Sequence, residues 1–148
     1  MARHNLDQST LHQELRRLAG IYAVRLYFNT QTDSLGQSRY WNRSISIQHS
    51  LTPPRALSVF FHELGHIHCY EEGKWASYHN PKPPASFTHD EKRLIVRTAL
   101  RAERWVDRWA RQEMRRHFPG VRYHSNYGDP RVASRFLKEI KSELCLDQ

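Results

Sequence analysis

The run Ala56-Leu57-Ser58-Val59-Phe60-Phe61-His62-Glu63-Leu64-Gly65-His66 constrains this chain more than any other stretch. A strongly apolar segment leads directly into two imidazoles and a carboxylate, so a helix here carries polar groups into a buried setting. Such groups are costly to bury without a partner. On a helix, side chains four residues apart sit one turn apart on one face, so His62 and His66 can each aim a ring nitrogen at a single ion. Glu63 is rotated about 100° from His62, which sets its carboxylate beside such an ion rather than on it.

The H-E-x-x-H spacing is the one used by zinc hydrolases, in which the metal lowers the pKa of a bound water from about 15.7 toward about 7 and a neighbouring carboxylate completes the deprotonation. His62 and His66 are thus expected to bind Zn2+, with Glu63 as the general base. The bland alternative is a helix with two partly buried histidines and a solvated Glu, in a chain with 10 His. The spacing fixes water activation but not the bond attacked.

A catalytic zinc takes three protein ligands and a water, so a third ligand is expected elsewhere. Thr88-His89-Asp90-Glu91 fits a capping box, and the helix it opens can run to about His117. On that helix Val96, Ala99, Ala102, Val106 and Ala110 share one face, and Glu103 falls in its middle. A carboxylate on the core side of a helix requires a metal or a charged partner. Asp107, one turn on, can accept a hydrogen bond from the far nitrogen of a ligand histidine. The competing reading pairs Glu103 with Arg97, Arg101 or Arg104 and leaves Asp107 solvated. Rival ligands are Glu72, His79, His89 and Glu91. The longer pattern H-E-x-x-H-x-x-G-x-x-H is excluded, because Cys69 and Glu72 occupy its Gly and third His positions.

The opposite face of this helix carries Arg93, Arg97, Arg101, Arg104, Arg108, Arg111 and Arg115 within about 80° of one another. A stripe of this kind is usually a solvated face; the sharper reading is a ridge that tracks phosphates or docks on an acidic protein. The whole chain carries a formal charge of +8, and 18 of its 23 basic residues are Arg once Lys74, Lys82, Lys92, Lys138 and Lys141 are set aside. That balance favours an anionic partner. No base-reading motif accompanies the stripe.

The remaining elements follow from periodicity and punctuation. Asp7 or Ser9 can cap a first helix with Leu11, Leu15 and Leu18 on one stripe and Gly20 at its end. Residues 21–28 read as a strand, 29–37 as a turn or loop, and 40–48 as a half-solvated strand, the two strands forming a hairpin. Thr52-Pro53-Pro54 starts the metal helix and Gly73 stops it. A polar stretch with three prolines, residues 74–87, and an irregular stretch at 121–128 precede a last helix opened by Asp129-Pro130. The expected fold is α+β: a short antiparallel sheet, hairpin or three strands, packed on about four helices. At 148 residues this suits one domain, with no apolar run near the ~20 residues of a membrane span. Residues 1–6 lack the apolar core of a signal peptide, and Cys69 and Cys145 make no disulfide framework, so a cytoplasmic setting is expected.

This order of parts resembles the ImmA/IrrE family of zinc metallopeptidases. Arg55 to His66 is similar to that family's lead-in, and Glu103-Arg104-Trp105-Val106-Asp107-Arg108-Trp109-Ala110 resembles its Glu-rich stretch ending in Asn/Asp-Arg-Phe-Ala; the likeness spans roughly residues 21–110. The insert between the motifs looks longer than is typical of the family, and no helix-turn-helix is attached. The resemblance implies a gluzincin-type endopeptidase, with zinc on His62, His66 and Glu103, Glu63 as base, and a regulatory protein such as a transcriptional repressor as substrate; the length makes residues 1–148 the single domain that carries it. A peptide could add to the strand at 40–48 if that strand forms the sheet edge. A donor for the tetrahedral oxyanion is also needed; Tyr78, His79, His89, Tyr123, His124 and Tyr127 are the candidates. The alternative of a different class is a non-catalytic zinc-containing interaction module that binds nucleic acid or an acidic protein through the Arg stripe.

Overall fold

In the computed structural model, which describes residues 7–30, 34–125 and 130–146, the chain opens with helix α1 (Gln8–Ile21). Asp7 caps it by accepting from the Thr10 amide at 2.7 Å, satisfying one of the orphan donors of the first turn. Leu11, Leu15 and Leu18 are completely buried, as their one-face spacing requires. Ala23, at φ 53°, then turns the chain into the sheet.

The sheet has three strands, β1 (Arg25–Asn29), β2 (Gly36–Arg39) and β3 (Ser44–Gln48), in the order β1-β3-β2. β1 runs parallel to β3 with Leu26 opposite Ile45, and β2 runs antiparallel to β3 with Ser38 opposite Ile45. This corrects the antiparallel hairpin expected from the two apolar segments. β2 begins within the stretch expected to be a loop, 29–37, and extends beyond it, and residues 40–43, expected to begin the second strand, form a turn with Arg43 at φ 55°. The strand expected at 40–48 is therefore the central one and β2 is the edge. The physical reason is that Gly36-Gln37-Ser38-Arg39 carries no apolar alternation; its pairing is made by backbone hydrogen bonds, which leave no hydropathy signal.

Helix α2 (Pro53–Glu72) begins with prolines in its first turn and ends at Gly73, whose φ of 68° gives the left-handed cap that glycine adopts without strain. Helix α3 (His89–His117) opens on the capping box between Thr88 and Glu91. Between them, residues 74–87 form turns and one 3-10 turn, Pro84–Ser86. Helix α4 (Pro130–Glu143) closes the fold; Asp129, its expected cap, lies outside the described residues.

The architecture is α+β, with four helices and one small mixed sheet among the described residues. α2 packs on β2 and β3 and along α3. Leu57, Phe60, Phe61 and Ile67 enter one core with the α1 leucines, Ile45, Ile47 and Met114. Where α2 crosses α3, a Cβ on Gly65 would stand 2.8 Å from Val106 Cγ1 and 3.2 Å from Trp109 Cε3. The bare glycine therefore sets how closely the two helices approach, and with it the reach of α3 side chains toward α2. Among the described residues no helix is long and apolar enough to cross a membrane.

Candidate metal centre

Three side chains from α2 and α3 converge. His62 Nε2 lies 3.0 Å and His66 Nε2 3.2 Å from Glu103 Oε2, and the two ring nitrogens are 3.1 Å apart. His66 and Glu103 are buried and His62 nearly so. Each residue offers one ligand atom to the cluster. The near-equal edges approach the ~3.4 Å that separates ligand atoms in a tetrahedral site with bonds of about 2.0–2.1 Å.

The far side of each ring is held by a different device. His62 Nδ1 donates to Asp107 Oδ1 at 2.8 Å, and Asp107 also accepts from the Tyr123 hydroxyl at 2.6 Å and from Ser125 Oγ at 2.5 Å. Behind His66 stands a second imidazole, with His66 Nδ1 2.8 Å from His79 Nε2. His79 Nδ1 lies 3.3 Å from the Trp75 carbonyl, which can only accept, so His79 donates there. Burial, followed by the charge of His66, pushes the His79 pKa down to about 4, so its Nε2 keeps a lone pair and His66 Nδ1 is the donor. Both chains of hydrogen bonds therefore turn a ring lone pair, not an N–H, toward Glu103 when the rings are neutral.

Three acceptors facing one another with no donor between them are costly. Glu103 Oε2 is buried with no hydrogen bond of acceptable geometry, although its charge is close to both rings. Burial opposes charge on His62, but its contacts with Asp107 and Glu103 outweigh this and hold its pKa well above the usual imidazole range. Burial likewise pushes the Glu103 carboxyl up, while His66 and His62 together pull it well below the usual carboxylate range. The cluster thus requires a positive charge at its centre, as a proton or as a cation. Two imidazoles and one carboxylate are a donor set suited to zinc with an open position, so the residues present fit the group that the sequence implies.

Glu63 is not part of the triangle. It lines two adjoining hollows, one shared with Gly36, Ser58, Val59, His62, Asp107 and His124, the other with Tyr40, His62, His66, Tyr78 and Glu103. The strand β2 forms one wall of both, through Gly36 in the first and Gly36, Gln37 and Ser38 in the second.

The expected oxyanion donors separate. Tyr78 lines the cleft and donates to Glu103 Oε1 at 2.5 Å. His124 lines the cleft on the other side of Glu63, and its backbone amide donates to Ser58 Oγ at 3.0 Å. His79, expected as a donor, lies buried behind His66 with both ring nitrogens engaged. The Tyr123 hydroxyl is likewise committed to Asp107, and burial and that carboxylate raise its pKa. His89 is exposed at the start of α3, about 21 Å along the helix from Glu103. Tyr127 lies outside the described residues. Among the rival ligands, Glu72 is exposed at the end of α2 and Glu91 is used in the capping box.

Gly36 and Ser125 were absent from the residues expected at the site. A Cβ on Gly36 would stand 2.2 Å from Val59 Cγ1 and 3.5 Å from Glu63 Cγ. Nothing in the sequence marks this contact beyond the glycine itself, which reads equally well as a turn residue. No family model, curated protein or solved structure matches this chain, and its site is read from its own geometry.

Proposed function

We propose that this protein is a zinc-dependent metallopeptidase that hydrolyses a peptide bond within a regulatory protein. The observation that carries the reading is the triangle of His62 Nε2, His66 Nε2 and buried, otherwise unmatched Glu103 Oε2, with Glu63 in the adjoining cleft. Zinc held there supplies Lewis acidity and brings the pKa of water from about 15.7 toward about 7. Glu63, in the adjoining cleft, would take a proton from the attacking water as the water oxygen bonds to the carbonyl carbon, and would pass that proton to the amine nitrogen as the C–N bond breaks. Asp107 and His79 fix the two rings, and Tyr78 holds the outer oxygen of Glu103 so that the inner one faces the rings.

The substrate backbone adds to β2, not to the strand at 40–48. Among the described residues β2 pairs only with β3, and its residues wall the cleft beside Glu63. An extended peptide on such an edge is held by main-chain hydrogen bonds irrespective of its side chains. Of the expected oxyanion donors, His124 lines the cleft with its side chain exposed and is the one assigned that role, because the single hydroxyl proton of Tyr78 is given to Glu103. A repressor as substrate is what the resemblance to the ImmA/IrrE family implies, and a cytoplasmic setting is the reading that the free thiols of Cys69 and Cys145 accord with.

The test is elemental analysis combined with Glu63→Gln. One zinc per chain, retained in that variant while cleavage of a peptide library ceases, is the expected result. A chain purified without stoichiometric metal, or a Glu63→Gln protein as active as the parent, removes the reading.

A further inference from the structure

The outer face of α3 has no part in this chemistry. All seven arginines of its stripe, Arg93 through Arg115, are exposed. At about 100° per residue, every position between 93 and 115 that falls inside their ~80° sector is an arginine. Glu103, Asp107 and Glu113 project elsewhere, and among the described residues no carboxylate pairs with any of the seven. The stripe rises about 33 Å, one guanidinium per ~5.5 Å. Its members recur at i,i+3 and i,i+4, where like charges destabilise an exposed helix; a face evolved for solvation alone gains from alternating signs. Each end of the ridge borders a cationic hollow with no carboxylate in its lining. One, of about 310 Å3, is lined by His89, Arg93, Arg97 and Lys141; the other, of about 380 Å3, by Arg111, Arg115 and Arg122.

We propose that this ridge is a sequence-independent docking surface for the sugar-phosphate backbone of duplex nucleic acid. The guanidinium fork matches phosphate oxygens two at a time, and a row of such groups along a straight rod meets a polyanion of regular charge. An acidic protein fits less well, because the centre of a protein interface is apolar and the sector holds no apolar side chain. Single strands fit less well because they require free aromatic faces on which bases stack. The aromatic rings nearest the ridge are already used: His68 stacks on Trp105 and Trp109, Lys74 lies over Trp105, and Arg111 lies over Tyr123. With only phosphates touched, base sequence is not read.

The test is fluorescence anisotropy of the full chain with two duplexes of unrelated sequence, the matching single strand, and polyglutamate, over a range of salt. Equal affinity for both duplexes is expected, with log K falling against log salt at a slope of about −5 for six neutralised phosphates, a loss of roughly 1,000-fold between about 50 and 200 mM. Replacing Arg97, Arg101, Arg104 and Arg108 together by Gln makes that slope shallower by about 3 to 4. Glu63→Gln leaves duplex binding unchanged, which separates this surface from the cleavage reading. A slope shallower than about −2, an unaltered quadruple variant, or tighter binding of the single strand or of polyglutamate than of duplex overturns the proposal.

Discussion

The two faces of α3 follow opposite rules. On the inward face, Glu103 and Asp107 are 3% and 6% exposed, and each buried oxygen but one has a donor. On the outward face, seven arginines stand in solvent without a carboxylate among the described residues. Water tolerates an unmatched charge on a surface, whereas a core does not. The inward face is therefore an assembly in which each group fixes the next, and the outward face is a set of nearly independent charges. Substitutions on one helix, a turn apart, should differ sharply in consequence.

Glu103→Ala should have the largest effect. It removes one corner of the triangle, and stoichiometric zinc should be lost on elemental analysis. Zinc at 100 times its dissociation constant stabilises a folded protein by about 2.7 kcal/mol. A thermal melt with and without zinc should accordingly shift for the parent chain and stay put for this variant.

Next come Asp107→Ala and His79→Ala, which leave all three ligand atoms in place but release the rings behind them. Supports of this kind are worth about 10–100-fold in metal affinity, measurable by competition with a chromophoric chelator. If either variant binds zinc as tightly as the parent, the inward face is less interdependent than its geometry implies. Gly65→Ala probes the same assembly from the side. Its methyl meets Val106 at 2.8 Å, and overpacking of this sort costs about 1–3 kcal/mol in urea denaturation. Smallest of all should be Arg104→Gln, adjacent to Glu103 but on the outer face, with a change within about 0.5 kcal/mol.

The same contrast explains what the sequence disclosed. The inward positions of Glu103 and Asp107 were legible because an apolar stripe at helical period surrounds them. The caps of α1 and α3 and the stop at Gly73 were legible because capping is local chemistry. The small sheet on four helices accords with the α+β expectation, but the parallel pairing of β1 with β3 and the place of the edge strand do not. Its edge strand of four residues is specified by pairing with β3 and by the contact of Gly36 with α2, both of them long-range. The supports behind the rings were only half visible. Asp107 follows from helical spacing, whereas His79 reaches His66 through a turn whose Trp75 adopts a φ of 52°, a conformation no periodicity announces.

The hydrogen atom that stands in for a side chain at position 36 has a geometric consequence for the reading proposed above. With nothing to hold it off, β2 rests its main chain directly against Val59 and Glu63. A strand laid along the open edge of β2 is then offset by the fixed ~4.8 Å of sheet spacing, not by a side chain able to swing. On that reading the molecule would act as a gauge: which bond of a bound polypeptide comes opposite Glu63 would be decided by register along the strand, two residues at a step.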